Sequence, residues 1–301
     1  MSKIERKADM KLLEEVSKRI GERLGDRYEV NIYQSTKTNS QKRDGIAIRK
    51  EHENVGVVIY PNVMEAEKVT LEDMVEEISK EYFRMKPECP EFHLDDMTKD
   101  QLLRRIILQA VSRERNVELL KNAPHKELLD IAIVYRFVLE QVIEGETLSF
   151  VITNTVAKKF DISLQELDMA AKQYAKQQNP YYITTMDSMI NGLAEELNME
   201  KSSFEYAENP IFVITNKRMI YGASVLAEPE VLGTLAHKLQ TDLLVIPSSG
   251  NEVLAIPAAE DDDIDFFRYM VASANRQLNP EEILGTSVYR YRRDSGILEI
   301  A

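Results

Sequence analysis

The densest run of apolar, β-branched sequence in the chain lies between Asn209 and Pro257. Such a run has to be buried, because leaving it in water forfeits the main driving force of folding. The rest of the chain is therefore expected to pack around it. Its pattern predicts strand, tight turn, strand, helix, strand, turn, strand. The first of these strands, Phe212-Val213-Ile214-Thr215-Asn216, repeats Phe150-Val151-Ile152-Thr153-Asn154. A helix start comes after each copy, at Ser163 and at Pro229. A duplicated unit would explain this, with related halves around residues 128–200 and 209–301. Convergence is the other explanation, since β-branched residues suit any strand and Asn suits a turn.

The chain has 301 residues, enough for one large domain or two ordinary ones. Leu12, Leu13, Val16, Ile20 and Leu24 recur at helical spacing and predict a helix over 10–25, with Gly25 as its stop. Tyr28–Tyr33 alternates with period two and predicts a strand. Ser35–Asp44 reads as a loop. Gly45–Lys50 and Asn54–Tyr60 read as strands around a charged turn at Glu51–Glu53. Thr70 and Asp73 spell a capping box for the next helix. Pro87 and Pro90 end it, and the lone Cys89 sits between them. Residues 1–90 thus form an N-terminal α-β-β-β-α domain. Residues 91–301 form a larger mixed α/β region with β-hairpins, and the fold class is α+β.

In that second region Thr98 and Gln101 spell another capping box, and Ile106–Val111 reads as a strand. Asn116 is placed to cap a short helix that Pro124 closes. The run Leu128–Leu139 reads as a strand from its β-branched content, with a helix as the alternative. Leu148–Thr153 is a strand. Ser163 and Glu166 cap a helix bearing Leu164, Leu167, Ala170, Ala171 and Tyr174. Asp187 is placed to cap a helix through Leu197. Beyond Pro257 a helix over 261–276 carries Ile264, Phe267, Met270, Val271 and Ala274. Asn279-Pro280 opens a short helical turn, and Val288–Arg292 with Ile297–Ile300 form a closing hairpin.

The net charge of −13 argues against non-specific nucleic-acid binding, which needs Lys and Arg against phosphates. Residues 228–301 hold 13 acidic and 6 basic residues, so this part carries more than half of the excess. It reads as solubility or as an acidic face for a basic partner. One cysteine excludes an internal disulfide and fits a reducing compartment. There is no apolar signal region near Met1 and no long apolar span, so the expectation is a cytoplasmic protein without a membrane segment.

Candidate chemistry concentrates in the turn Pro247–Glu252. Ser248, Ser249, Asn251 and Glu252 offer hydroxyls, an amide and a carboxylate for a small-ligand site, and the same residues are turn formers. The G-x-S-x-G elbow and the phosphate-binding glycine motifs are absent, so no cofactor is expected. Glu260, Asp261, Asp262, Asp263 and Asp265 suit a hard cation or, more simply, a helix N-terminus. His52, His93, His125 and His237 lack zinc spacing, so no metal is assigned. Arg104, Arg105, Arg113 and Arg115, and again Arg290, Arg292 and Arg293, are small basic clusters among acids.

The stretch PHKELLDIAIVYRFVL from Pro124, the strand ending Ile152-Thr153-Asn154 with Gln165-Glu166-Leu167, and FVITNKRMIYGASVL from Phe212 together resemble a bacterial family catalogued as a domain of unknown function. Asp242–Ser249 with Glu252-Val253-Leu254 after it carries the resemblance most strongly, and Asp44–Arg49 fits it. The resemblance implies an α+β protein and brings no activity or catalytic residue. The functional expectation is a non-enzymatic binding or regulatory protein with an acidic face for a basic protein partner. The alternative is a hydrolase or transferase using the 247–252 loop.

Overall fold

The computed structural model describes residues 3–53, 56–61, 70–85, 93–139, 149–196 and 210–301. They divide into two compact units. One comprises Met1–Lys37, Gln41–Met97 and Leu139–Leu148; the other comprises Thr38–Ser40, Thr98–Val138 and Ser149–Ala301. The proline segment with Cys89, where the sequence places a domain boundary, lies outside the described residues.

The first unit is α1 (Lys3–Leu24), β1 (Tyr28–Thr36), β2 (Lys42–Lys50), β3 (Val57–Ile59) and α2 (Leu71–Met85). Its sheet is antiparallel in the order β1-β2-β3. Leu13, Val16 and Ile20 of α1 and Val75, Ile78 and Tyr82 of α2 meet Ile46, Ile48 and Val57 of the sheet in one core. Tyr28 and Tyr82 meet edge to face, with ring centroids 6.0 Å apart. Gly25 ends α1 at φ +84°, a conformation open to glycine. Thr70 and Asp73 form the predicted box: Thr70 N donates to Asp73 Oδ2 at 2.9 Å, and Asp73 N to Thr70 Oγ1 at 3.2 Å. The expected loop over 35–44 is shorter than its polarity suggests. The ladder runs on to Thr36↔Lys42, because a two-strand ribbon wet on one side accepts polar residues there.

The second unit begins with α3 (Lys99–Leu103), β4 (Ile106–Ser112), α4 (Val117–Asn122), β5 (His125–Leu128) and β6 (Ile131–Val138). It continues with β7 (Ser149–Val151), α5 (Asn154–Lys159), α6 (Leu164–Gln178), β8 (Tyr181–Thr185), α7 (Met186–Glu196) and β9 (Phe212–Asn216). It closes with α8 (Pro229–Leu239), β10 (Leu243–Ile246), β11 (Val253–Pro257), α9 (Ile264–Ala274), β12 (Tyr289–Arg292) and β13 (Ile297–Ile300). Of the run over 128–139, Ile131–Val138 is strand β6, and the helical alternative falls away; Leu128 ends β5, and Leu129 and Asp130 make the turn between the two strands. β6 pairs with β4 on one side and with β5 and β7 on the other. A second sheet has the order β13-β12-β10-β11-β9-β8, antiparallel throughout. Leu244 and Ile246 of this sheet, with Val288 just before β12, pack against Val271, Ile264 and Phe267 of α9.

Several local expectations are corrected by the structure. The second strand expected after Phe212–Asn216 is a 3-10 turn, Gly222–Ala227. Met219 and Tyr221 take positive φ (54° and 56°), which no strand allows. β8 was not expected; it exists because it pairs with β9 from Tyr181↔Asn216 to Thr185↔Phe212. Thr185, rather than Asp187, caps α7, accepting from Ser188 N at 3.2 Å. The repeated pentapeptide has two fates. In the first copy the strand stops at Val151, and Thr153 caps α5 by accepting from Val156 N at 3.3 Å. In the second copy all five residues are strand, inside the larger sheet. The two copies share composition but differ in sheet position and in the next element of the chain, a helix after one and a 3-10 turn after the other.

The turn between β5 and β6 carries the polar tie between the two sheets of this unit. Asp130 accepts a hydrogen bond from Ser287 Oγ and another from Tyr289 Oη, each at 2.6 Å. Tyr289 is fully buried, and burial with the adjoining carboxylate pushes its phenol pKa up. Asp130→Ala would leave both hydroxyls without this acceptor. The expected loss is about 3 kcal/mol, from two bonds to a charged group, read as a lower denaturant midpoint.

Candidate functional site

The 247–252 connection between β10 and β11 folds inward on its own polar groups. Ser248 Oγ donates to Glu252 Oε1 at 3.2 Å, and Ser249 Oγ accepts from Asn251 N at 3.1 Å. Asn251 Oδ1 accepts from Tyr221 N at 3.0 Å, and its carbonyl accepts from Thr215 Oγ1 at 2.7 Å. Asn251 Nδ2 reaches Glu282 Oε1 at 3.4 Å. Ser249 is buried. The four predicted residues are thus brought together, and their hydrogen bonds fasten the loop to β9 and the 3-10 turn. Among the described residues no histidine or arginine bonds to them, so no base is in place to activate either serine.

The other sequence candidates are dispersed. Asp263 caps α9 by accepting from Phe266 N at 3.0 Å, and Asp262 accepts from Ala259 N at 2.7 Å. Asp265 pairs with Arg268. The acidic cluster is therefore helix-start chemistry for three of its members. Among the described residues no three His, Cys, Asp or Glu side chains gather as a metal site. His52 stands beside Glu51, His93 precedes a 3-10 turn, and His237 lies in the last turn of α8. The terminal arginines are matched by acids: Arg292 with Glu299 and Asp242, Arg293 with Asp294, and Arg290 with Asp262.

Two surface features were not foreseen. The first is a groove of about 580 Å³ lined by Arg113, Glu114, Val117, Leu120, Lys121, His125, Glu127 and Asp130. Leu120 covers Val111, Ala132 and Val134 of the sheet, while Val117 stays 49% exposed. Arg113 pairs with Glu127 at 3.1 Å and donates to Leu129 O at 2.7 Å; Lys121 pairs with Glu118 at 2.7 Å. His125 Nδ1 sits 2.9 Å from Ala123 O. These residues span 113–130 across a helix, a strand and a turn, so no local motif announces them. An apolar Val117 between Asn116 and Glu118 was the one available signal.

The second feature is the outer side of α9. Phe266, Tyr269 and Met270 are 54%, 64% and 51% exposed, although Met270 was expected on the inner stripe. The inner stripe is Ile264, Phe267 and Val271. Glu260, Asp261, Asp263 and Asp265 are exposed at the start of the same helix.

An ionic cluster with one buried member, Glu228, lies elsewhere in this unit. Asp168 on α6 accepts from Lys126 Nζ at 2.6 Å and from Tyr135 Oη at 3.1 Å. Lys172 stands between Asp168, at 3.8 Å, and Glu228, at 3.7 Å. Glu228 is 5% exposed, and its Oε1 accepts no hydrogen bond among the described residues. Burial raises its pKa, and the Glu230 and Asp168 carboxylates add to this against the opposing pull of Lys172 and Lys176.

The model of one protein family, the family of unknown function DUF5688, matches residues 10–293, and the chain belongs to that family. No curated protein and no solved structure matches the chain.

Two outcomes are expected from this geometry. A Cβ on Gly222 would lie 2.2 Å from Asn251 O and 2.3 Å from Thr215 Oγ1. Gly222→Ala should therefore cost roughly 3 kcal/mol or more, since the contacts are to backbone and a fixed hydroxyl; a chemical denaturation curve reads this directly. Glu228 favours its neutral form in the fold. Its contribution is complete below the ordinary value of 4.5 and is lost as pH rises through the raised folded value. Glu228→Gln should match the wild type in acid and melt at a higher temperature at neutral pH, as tracked by thermal melts across pH.

Proposed function

We propose that this member of the family acts by binding, as a bacterial cytoplasmic regulatory or interaction protein whose acidic face meets a basic protein partner. The observation that carries this proposal is the outer side of α9. Phe266, Tyr269 and Met270 form an exposed apolar row, and Glu260, Asp261, Asp263 and Asp265 stand at the head of the same helix. Exposed apolar groups rimmed by like charge suit a partner that is apolar at its centre and basic at its rim. The surrounding acidic excess would steer such a partner and would disfavour nucleic acid.

The single cysteine suits a reducing compartment. No helix among the described residues is long and apolar enough to cross a membrane. The competing hydrolase or transferase role is the weaker, because Ser248, Ser249, Asn251 and Glu252 are engaged with one another and with their own scaffold.

Wild type and the double variant Phe266→Ser/Tyr269→Ser would be used as bait in extracts of the source cells, at low and high salt. A basic protein should be captured by the wild type and weaken with salt. The double variant should lose roughly tenfold or more in affinity for it. Equal capture by the double variant, or capture indifferent to salt, would remove the support for this role.

A further inference from the structure

We infer that the groove between α4 and β5 is a docking site for an extended peptide segment of another polypeptide, added as a strand to the open edge of β5. This site is separate from α9 and does not depend on the role proposed for that helix.

β5 pairs with β6 from His125↔Val134 to Leu128↔Ile131, and no described strand pairs with its other edge. In an antiparallel pair, alternate residues turn their N–H and C=O groups away from the partner. An edge of this kind is a template for a further strand unless it is covered or blocked. β5 carries no proline, and both Lys126 and Glu127 are exposed.

The groove lies on the face of the sheet next to that strand, since His125 and Glu127 of β5 are among its lining. Added strands gain affinity from backbone bonds and specificity from pockets that receive alternate side chains. Here both elements are present: the edge, and a cavity of about 580 Å³ with Val117 and Leu120 as its apolar surface. A strand that lies along β5 would turn alternate side chains toward this cavity, where Val117 is 49% exposed.

The walls are held from behind. Asn116, immediately before α4, is 1% exposed; its amide donates to Asn39 Oδ1 and Ser112 O, at 2.7 and 2.8 Å. Asn39 Nδ2 in turn donates to Pro280 O and Ile283 O, each at 2.7 Å. Asp130 is fixed by Ser287 and Tyr289. A groove with such backing needs little ordering when a ligand enters, which lowers the cost of binding.

Charge specifies the occupant. Within the lining, Arg113 is matched by Glu127, Lys121 by Glu118, and Asp130 by two hydroxyls. Glu114 is exposed and has no such partner among the described residues. The segment that fits has an apolar residue for Val117 and Leu120 and a lysine or arginine nearby for Glu114.

The test uses the full chain and a displayed library of random linear peptides, counter-selected against the Val117→Asp chain. Asp is a favoured residue in the first turn of a helix, so this variant keeps α4. Enriched peptides should pair an apolar residue with Lys or Arg. A synthetic copy of one should bind Val117→Asp about tenfold or more weakly than wild type, and Glu114→Lys more weakly as well. Its binding should slow amide hydrogen exchange in β5. The inference is overturned if no peptide is enriched over the Val117→Asp chain. It is equally overturned if enriched peptides slow exchange elsewhere and leave β5 unchanged.

Discussion

The Asp130 carboxylate holds together parts of the second unit that are far apart in sequence. It sits in the turn joining β5 to β6 and receives hydroxyls from Ser287 and Tyr289, 157 and 159 residues later. Its own carbonyl accepts from Arg113 N at 3.1 Å, and Leu129 O accepts from the Arg113 guanidinium. Leu129 takes φ 57° to make this turn, a conformation that a β-branched or bulky residue seldom adopts without support. The carboxylate and the arginine both supply that support. With them in place, the four-stranded sheet, the end of β4 and strand β12 share one fixed point. The groove takes its shape from it.

The same economy of polar groups decides what the 247–252 loop can do. A loop of Ser, Gly, Asn and Glu looks chemically able, yet each group has a nearer obligation. The 3-10 turn at Gly222–Ala227 presents backbone N–H groups that need acceptors. Asn251 Oδ1 serves Tyr221 N, and Gly250 O serves Ala223 N at 3.3 Å. Gly222 permits this only because it has no side chain. A nucleophile or a binding group must be free to meet a ligand. In this part of the chain that freedom has given way to a unique packing of β9 against its neighbours.

Features that depend on residues three or four apart were legible in the sequence. The boxes at Thr70, Thr98 and Ser163 all form, and in the last Glu166 has its carboxyl drawn down to about 2 by Lys99 and by the Ser163 bonds. The strands β4, β6, β9 and β13 were legible from β-branched runs, and the core stripe of α1 from its periodicity, whereas on α9 periodicity put Met270 and Ala274 inside and the structure exposes both. Features set by distant partners were not. Tyr221 adopts positive φ because Asn251, 30 residues away, offers its amide oxygen. Tyr181–Thr185 is a strand because β9 supplies the ladder. Phe-Val-Ile-Thr-Asn becomes a strand end with a helix cap in one place and a full inner strand in another, which no reading of five residues could separate. The α4–β5 groove is likewise a product of tertiary placement, visible only once α4 lies over β5 and β6.

The distribution of exposed groups on α9 bears on why its outer row exists. The helix is held to the sheet by Ile264, Phe267 and Val271 against Leu244, Ile246 and Val288. Its N-terminus is capped by Asp263, and Arg268 reaches Ala301 O at 2.6 Å. These contacts suffice to place the helix, so Phe266, Tyr269 and Met270 are not needed by the fold. Smaller or polar residues at the three positions would leave the inner contacts unchanged and avoid exposing large apolar surface. Isolated exposed apolar residues need no explanation, but three on one helical side, beside an acidic cap, do. The terminal arginines cannot neutralise that cap in full, since Arg292 and Arg293 already face Glu299, Asp242 and Asp294. An apolar row next to a negative field remains, and the physical complement of such a surface is a partner that brings both apolar area and positive charge.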